Sequence, residues 1–148
     1  MANAHENRLS MSGDEEMALQ YIRWTEKALD EMESYFSQIE DTDVLSVEDG
    51  KRLVKEIYGL SHNIKGTGAS FDYILMTDVG ASLCNYIKHY PEDSLPEADV
   101  LSAHIRSLRV ILSYRITGTA GEKGRAVIER LKQLSSQSLG HNATPSLT

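Results

Sequence analysis

The residues best placed to do chemistry lie in one run near the middle of the chain, HNIKGTGASFDY (62–73). His62 offers a ring nitrogen, Lys65 one helical turn later a cationic donor, and Gly66 a position with no side chain to block approach. At about 100° per residue, Leu53, Ile57, Leu60 and Ile64 form an apolar seam spanning roughly 60°, and His62 falls about 160–180° from its centre. The imidazole is therefore expected in solvent. The same projection gathers Lys51, Lys55, Tyr58, Lys65 and Ala69 within about 60° of His62, with Gly59 and Gly66 on one flank and no Asp or Glu close beside it. An exposed imidazole is partly neutral at neutral pH and then carries a free lone pair. Beside cationic donors, that lone pair suits phosphoryl transfer: nitrogen attacks phosphorus, and the lysines offset the charge of the product.

A site on one helix face needs other helices behind it. Five stretches of helical periodicity are separated by segments rich in Gly, Pro, Ser or Asp. The first, about 14–40, aligns Met17, Tyr21, Trp24, Ala28, Met32, Tyr35 and Ile39, with Ser12 and Glu15 at capping-box spacing. The second, about 46–68, opens on Ser46 and Asp49 and carries the seam described above. The third, about 73–89, aligns Met76, Val79, Leu83, Tyr86 and Tyr90 and stops at Pro91. The fourth, about 95–117, has Ser94 and Glu97 around Pro96 in its first turn and Leu101, Ile105, Leu108 and Leu112 as its seam. After the break TGTAGEKG (117–124), a fifth stretch at about 122–137 shows Val127, Leu131 and Leu134. The pattern predicts an all-α chain: an antiparallel four-helix bundle with an additional C-terminal helix over residues 13–137, between loose tails at 1–12 and 138–148.

Composition sets the broader class. The 148 residues are 41% hydrophobic and 25% charged, which fits one globular domain. The formal charge of −7 disfavours nonspecific binding to nucleic acid or anionic membrane and points to a protein partner. No run of apolar residues is long enough to span a bilayer, the start of the chain lacks a secretory pattern, and the single cysteine, Cys84, has no internal partner; a cytoplasmic monomer is expected.

His62, Lys65 and Gly66, with Ile64 between and Phe71 beyond, resemble the signature of histidine-containing phosphotransfer (HPt) domains, the helical-bundle intermediates of multistep two-component phosphorelays. The resemblance extends over about residues 46–112, and Gly80, Ala81, Ser82, Leu83 and Cys84 resemble the following HPt helix. It implies that His62 accepts phosphate from the aspartate of a receiver domain and returns it to another receiver. Lys65 then contacts the phosphoryl group. Lys51, Lys55, Tyr58, Gly59, Gly66 and Ala69 form the docking face for receiver domains of response regulators or hybrid kinases. Mg²⁺ belongs to the receiver, and the chain itself needs no cofactor or metal. One departure is Asp72, where many family members have glycine; Asp72 is expected to cap the third helix.

The other candidates read as structural. Cys84 is expected to be a small buried hydrophobe, and His89 and His104 surface or helix-end residues with no ligand spacing. The chain lacks a nucleotide-binding glycine pattern, so neither ATP binding nor self-phosphorylation is expected. Asn63, following the histidine where an autophosphorylating domain commonly has an acid, points the same way. A phosphohydrolase working through phosphohistidine needs a second acid or base near His62, and the projection offers lysines and a tyrosine. The alternative reading is a helical adaptor that binds a signalling partner without chemistry.

Overall fold

The chain's computed structural model describes residues 13–41 and 45–143. Five helices follow one another: α1 (Gly13–Glu40), α2 (Val47–Thr67), α3 (Ile74–His89), α4 (Ala98–Ser113) and α5 (Gly121–Ala143). A short 3-10 turn, Gly68–Phe71, joins α2 to α3. No strand occurs among the described residues, and no helix among them is long and apolar enough to cross a membrane. The architecture is all-α. α1 packs on α2 and α4, α3 packs on α2 and α4, and α5 lies against α3 and α4.

The seams meet in one core. Leu29 and Met32 of α1, Ile57 and Ile64 of α2, Met76, Val79 and Leu83 of α3, and Leu101, Leu108 and Leu112 of α4 are sealed from solvent, and Leu131 joins them from α5. Each such side chain contributes about 1.5–3 kcal/mol by leaving water. The start of α2 follows its sequence signal: Ser46 caps it, its hydroxyl accepting the Asp49 N–H at 3.1 Å. On the exposed side, the Arg109 guanidinium donates to Glu33 at 2.7 and 3.0 Å and to Asp30 at 2.6 Å, tying α4 to α1.

Several expectations are corrected. α1 buries Tyr21, Ala28, Met32 and Ile39 of its expected stripe together with Ile22, Thr25 and Leu29, whereas Met17 and Trp24 stand 55% and 50% exposed. Leu60 is only half-buried at the edge of the α2 seam. α4 begins at Ala98, so Pro96 lies before the helix, and Glu97 makes no side-chain cap. The Glu97 N–H instead donates to the Tyr86 hydroxyl at 3.0 Å, which holds the backbone extended at that point. The same hydroxyl lies 2.7 Å from the Ser138 hydroxyl. Ser138 is thereby buried within α5, which runs on to Ala143, and the boundary expected at residue 137 falls inside a helix. On α5, Leu131 is buried but Val127 is 37% exposed. Residues 1–12, with the expected Ser12 cap, and 144–148 lie outside the described residues.

His104 is the largest departure. Expected at the surface, it is fully buried in α4 against the ring of Tyr86. Its Nδ1 lies 2.8 Å from the Val100 carbonyl, which can only accept, and its Nε2 lies 2.8 Å from the Ser82 hydroxyl of α3. The ring is thus a neutral Nδ1–H tautomer that accepts from Ser82 and joins two helices. Burial holds its proton affinity below the ordinary imidazole range, opposed by the bond to Val100.

Asp72 does not cap α3. It takes a left-handed conformation (φ 66°, ψ 17°) at the end of the 3-10 turn, while Tyr73 occupies the capping position without a side-chain bond. This is the backbone geometry that glycine adopts freely and that aspartate tolerates better than other side chains. Its carbonyl accepts the Gly118 N–H at 2.7 Å, pinning the α2–α3 corner to the α4–α5 loop.

Two stability predictions follow from these sites. The folded state keeps His104 neutral and the unfolded state does not, so stability is full above the ordinary imidazole range and is lost as pH falls through it. Urea unfolding is expected to give a lower stability at about pH 5.5 than at about pH 7.5 from this residue. His104→Leu removes that acid loss while lowering stability at both values; an unchanged pH slope in the variant refutes the assignment. At residue 72, Asp72→Gly is expected to hold or raise stability by up to about 1 kcal/mol, and Asp72→Val to lower it by about 1–2 kcal/mol. Equal midpoints for the two variants in thermal unfolding contradict the left-handed assignment.

Candidate functional site

His62 lies on the outer face of α2, five residues before the helix ends, and its register is fixed by the residues on either side. Ser61 is fully buried and returns its hydroxyl to the Ile57 carbonyl at 2.8 Å. Ile64 is fully buried in the core. With both of these turned inward, the helical period leaves His62, Lys65 and Gly66 outward, and all three are exposed.

Two close approaches hold this stretch of α2 against α3. A Cβ placed on Gly80 meets the Lys65 amide nitrogen at 3.0 Å and the Ser61 carbonyl at 3.2 Å. Backbone thus packs on backbone directly behind His62 and Lys65. At the helix end, a Cβ on Gly68 meets the Tyr73 carbonyl at 2.8 Å and the Thr77 nitrogen at 3.0 Å. The Thr77 hydroxyl accepts the Ala69 N–H at 2.8 Å, and the Tyr73 N–H donates to the Gly68 carbonyl at 2.9 Å. The corner after the histidine is therefore closed by hydrogen bonds.

The outer face is open. The rings of Tyr58 and His62 stack at 6.3 Å with 17° between their planes. Among the described residues His62 has no hydrogen bond or ion pair, and its ring nitrogens are available. Lys55, Tyr58, Gly59 and Asn63 surround it in a shallow hollow of about 460 Å³. Glu56 lines this hollow too, about 120° round the helix from His62. A Cβ on Gly59 or on Gly66 meets nothing within 4 Å, and neither glycine has a positive φ, so the chain's own packing does not require glycine there.

The remaining predicted residues fall on either side. Lys51 shares a second hollow of about 450 Å³ with Lys55, Tyr58 and Lys88. Lys65 turns to a groove over α3, bordered also by Tyr58. Ala69 sits exposed in the 3-10 turn beyond Gly66. Three lysine positions thus reach three adjoining hollows rather than converging on the imidazole, and Tyr58 is common to all three.

On the other flank, Met17, Gln20 and Trp24 of α1 meet Thr67 and Phe71 around a hollow of about 320 Å³. Its wall is the ring of Tyr21, stacked on Phe71 at 4.8 Å and tilted on Tyr73 at 5.4 Å. Burial pushes the Tyr21 phenol up to about 12. Sequence periodicity placed Met17 and Trp24 with the core; their exposure makes them a greasy rim at the histidine end of α2.

The other candidates have structural settings. Cys84 is buried with its Sγ 3.9 Å from the Tyr58 carbonyl, and burial pushes its thiol up against the opposing influence of Lys65. His89 is exposed near the end of α3, with Nδ1 2.8 Å from the Asn85 carbonyl. No group of three or more His, Cys, Asp or Glu among the described residues is placed to hold a metal ion. Comparison of the chain with protein-family models, curated proteins and solved structures finds no match, so the functional reading rests on this geometry.

Proposed function

We propose that the chain is a phosphoryl carrier of HPt type, built as a four-helix bundle of α1–α4 with α5 added, in which His62 accepts phosphate from a receiver-domain aspartate and passes it to another receiver. The observation that carries this reading is an exposed, unpartnered imidazole on a face that the chain's own packing leaves clear at Gly59 and Gly66.

In the step itself, a ring nitrogen of neutral His62 attacks phosphorus, a nitrogen–phosphorus bond forms, and the bond from phosphorus to the aspartyl oxygen breaks. The carboxylate leaves with its electron pair and stays with the receiver. Lys65 and Lys55 reduce the cost of bringing a dianion to α2, and the Tyr58 ring limits rotation of the imidazole by stacking on it. Mg²⁺ is supplied by the receiver's acidic pocket. The lysine side of the face attracts that pocket, which favours fast, reversible encounter. The rim of Met17, Trp24 and Phe71 adds apolar area to the same docking surface. The chain works in the cytoplasm as a monomer and does not phosphorylate itself.

A partner-binding adaptor draws on the same rim without using His62, and a phosphohistidine hydrolase is the third reading, for which Glu56 lines the same hollow. Labelling separates the three. Incubated with radiolabelled receiver phosphates, the protein is expected to take up acid-labile, base-stable label and to hold it until a second receiver is added. His62→Gln takes up none while keeping its helical circular dichroism. Label absent from the wild type with every donor sinks the carrier reading, and label released as free phosphate without an acceptor favours the hydrolase. Lys65→Ala is expected to slow transfer by about tenfold or more, because a charge-assisted contact is lost, with unfolding unchanged. An unaltered rate removes Lys65 from the mechanism.

Docking is tested separately. Gly66→Arg and Trp24→Ala are each expected to weaken receiver binding, measured by calorimetry, while helicity stays at the wild-type level. The first acts by obstruction and the second by loss of apolar contact. Unchanged affinity in both variants places the interface elsewhere.

A further inference from the structure

Beyond the His62 face, α2, α3 and α5 enclose a groove of about 700 Å³, within the range of small-molecule sites. Three lysines from three helices line it: Lys65 of α2, Lys88 of α3 and Lys132 of α5. Asp78 is the acidic residue in its lining, so the groove carries a net charge of +2 in a chain whose formal charge is −7. None of the three ammonium groups makes an ion pair with a carboxylate among the described residues; their ion pairs are Arg52–Asp49 and Arg109 with Asp30 and Glu33. Like charges gathered in a concavity repel one another and raise the local potential for anions.

We infer that this groove binds a small phosphomonoester. A phosphomonoester brings about −1.5 to −2 charge at neutral pH, which matches the lining, and lysine serves phosphate as a point charge without demanding bidentate geometry. The Asn85 amide and the Ser136 hydroxyl add neutral donors. The Ser82 proton is already committed to His104 Nε2, so Ser82 offers an acceptor to hydroxyl groups of the ligand. The space exceeds what a phosphoryl group fills, and Tyr58, Ile128 and Leu139 give the organic part an apolar wall. α5 supplies Lys132 and Ser136, and because this fifth helix runs past residue 137 it adds Leu139 to the apolar wall.

Lys65 also belongs to the His62 face. An occupied groove engages the ammonium that the carrier reading assigns to the transferred phosphoryl group, so ligand and transfer compete for it. That consequence rests on the proposed function; binding itself does not.

Binding is read by amide chemical shifts of the unphosphorylated full chain, with AMP, inorganic phosphate and adenosine as probes. AMP is expected to give saturable shifts at Ser82, Asn85 and Ser136, inorganic phosphate the same shifts more weakly, and adenosine none. Lys132→Glu is expected to weaken AMP by about tenfold or more, and Lys88→Glu provides a second reversal on another helix should the first disturb α5. Equal affinity for phosphate and AMP overturns the phosphomonoester, because the apolar wall then contributes nothing. No saturable shift with either anion, shifts that survive both charge reversals, or equal shifts with adenosine overturn the proposal. In transfer assays AMP is expected to slow the wild type but not Lys132→Glu; if binding is present and label transfer is absent, the groove stands and the carrier reading falls.

Discussion

The functional face depends on one contact, the approach of α3 to the backbone of α2 at Gly80. A side chain at that position has no room, since its first carbon already meets the Lys65 nitrogen at 3.0 Å. Because the two backbones touch there, Ser61 and Ile64 must both point inward, and a helix that buries residues 61 and 64 has to expose 62, 65 and 66. Exposure of the imidazole is therefore imposed by the packing of the opposite face. Ser61 can point inward because its hydroxyl is satisfied within the α2 backbone and needs no water.

The corner after α2 carries the same constraint onward. Gly68 lets the 3-10 turn press against Tyr73 and Thr77, Asp72 reverses the chain in a left-handed conformation, and its carbonyl takes the Gly118 N–H from the loop before α5. α5 is fixed at its far end by Ser138, whose hydroxyl meets Tyr86, while Tyr86 holds the segment leading into α4 through Glu97. Two small sets of hydrogen bonds thus set where α4 and α5 begin and lie. In the second set the Tyr86 and Ser138 hydroxyls are buried but satisfied, and there loss of one partner costs more than the bond contributes.

What the sequence discloses and what it hides divides along a physical line. Seams whose apolar residues all face one neighbour are legible, as with Met76, Val79 and Leu83 or Leu101, Leu108 and Leu112. The cap at Ser46 is legible because it is local. Met17 and Trp24 mislead because hydrophobic type does not say where a stripe stops finding a partner; α1 buries Tyr21, Ile22, Ala28, Leu29, Met32 and Ile39, and Met17 and Trp24 are left outside. His104 misleads by its type: the helical period sets it with Leu101, Ile105 and Leu108, but the polar partner that lets an imidazole be buried there, Ser82, lies 22 positions away on another helix. At position 72 the residue type is silent, and only the backbone angle shows that glycine suits the place.

Charge gives the surface its direction. An acidic chain that spreads its lysines evenly presents no preferred approach to an anion, whereas this one places Lys51, Lys55 and Lys65 along α2 and adds Lys88 and Lys132 from its neighbours. Tyr58 borders all three hollows that these residues line, so the ring stacked on His62 is also the wall shared by the neighbouring groove. Lys65 is exposed, and its position is set by its backbone rather than by an ion pair, which leaves its four-carbon stem free to serve either side. A lysine locked by a carboxylate is already committed; an uncommitted one responds to whichever phosphate arrives.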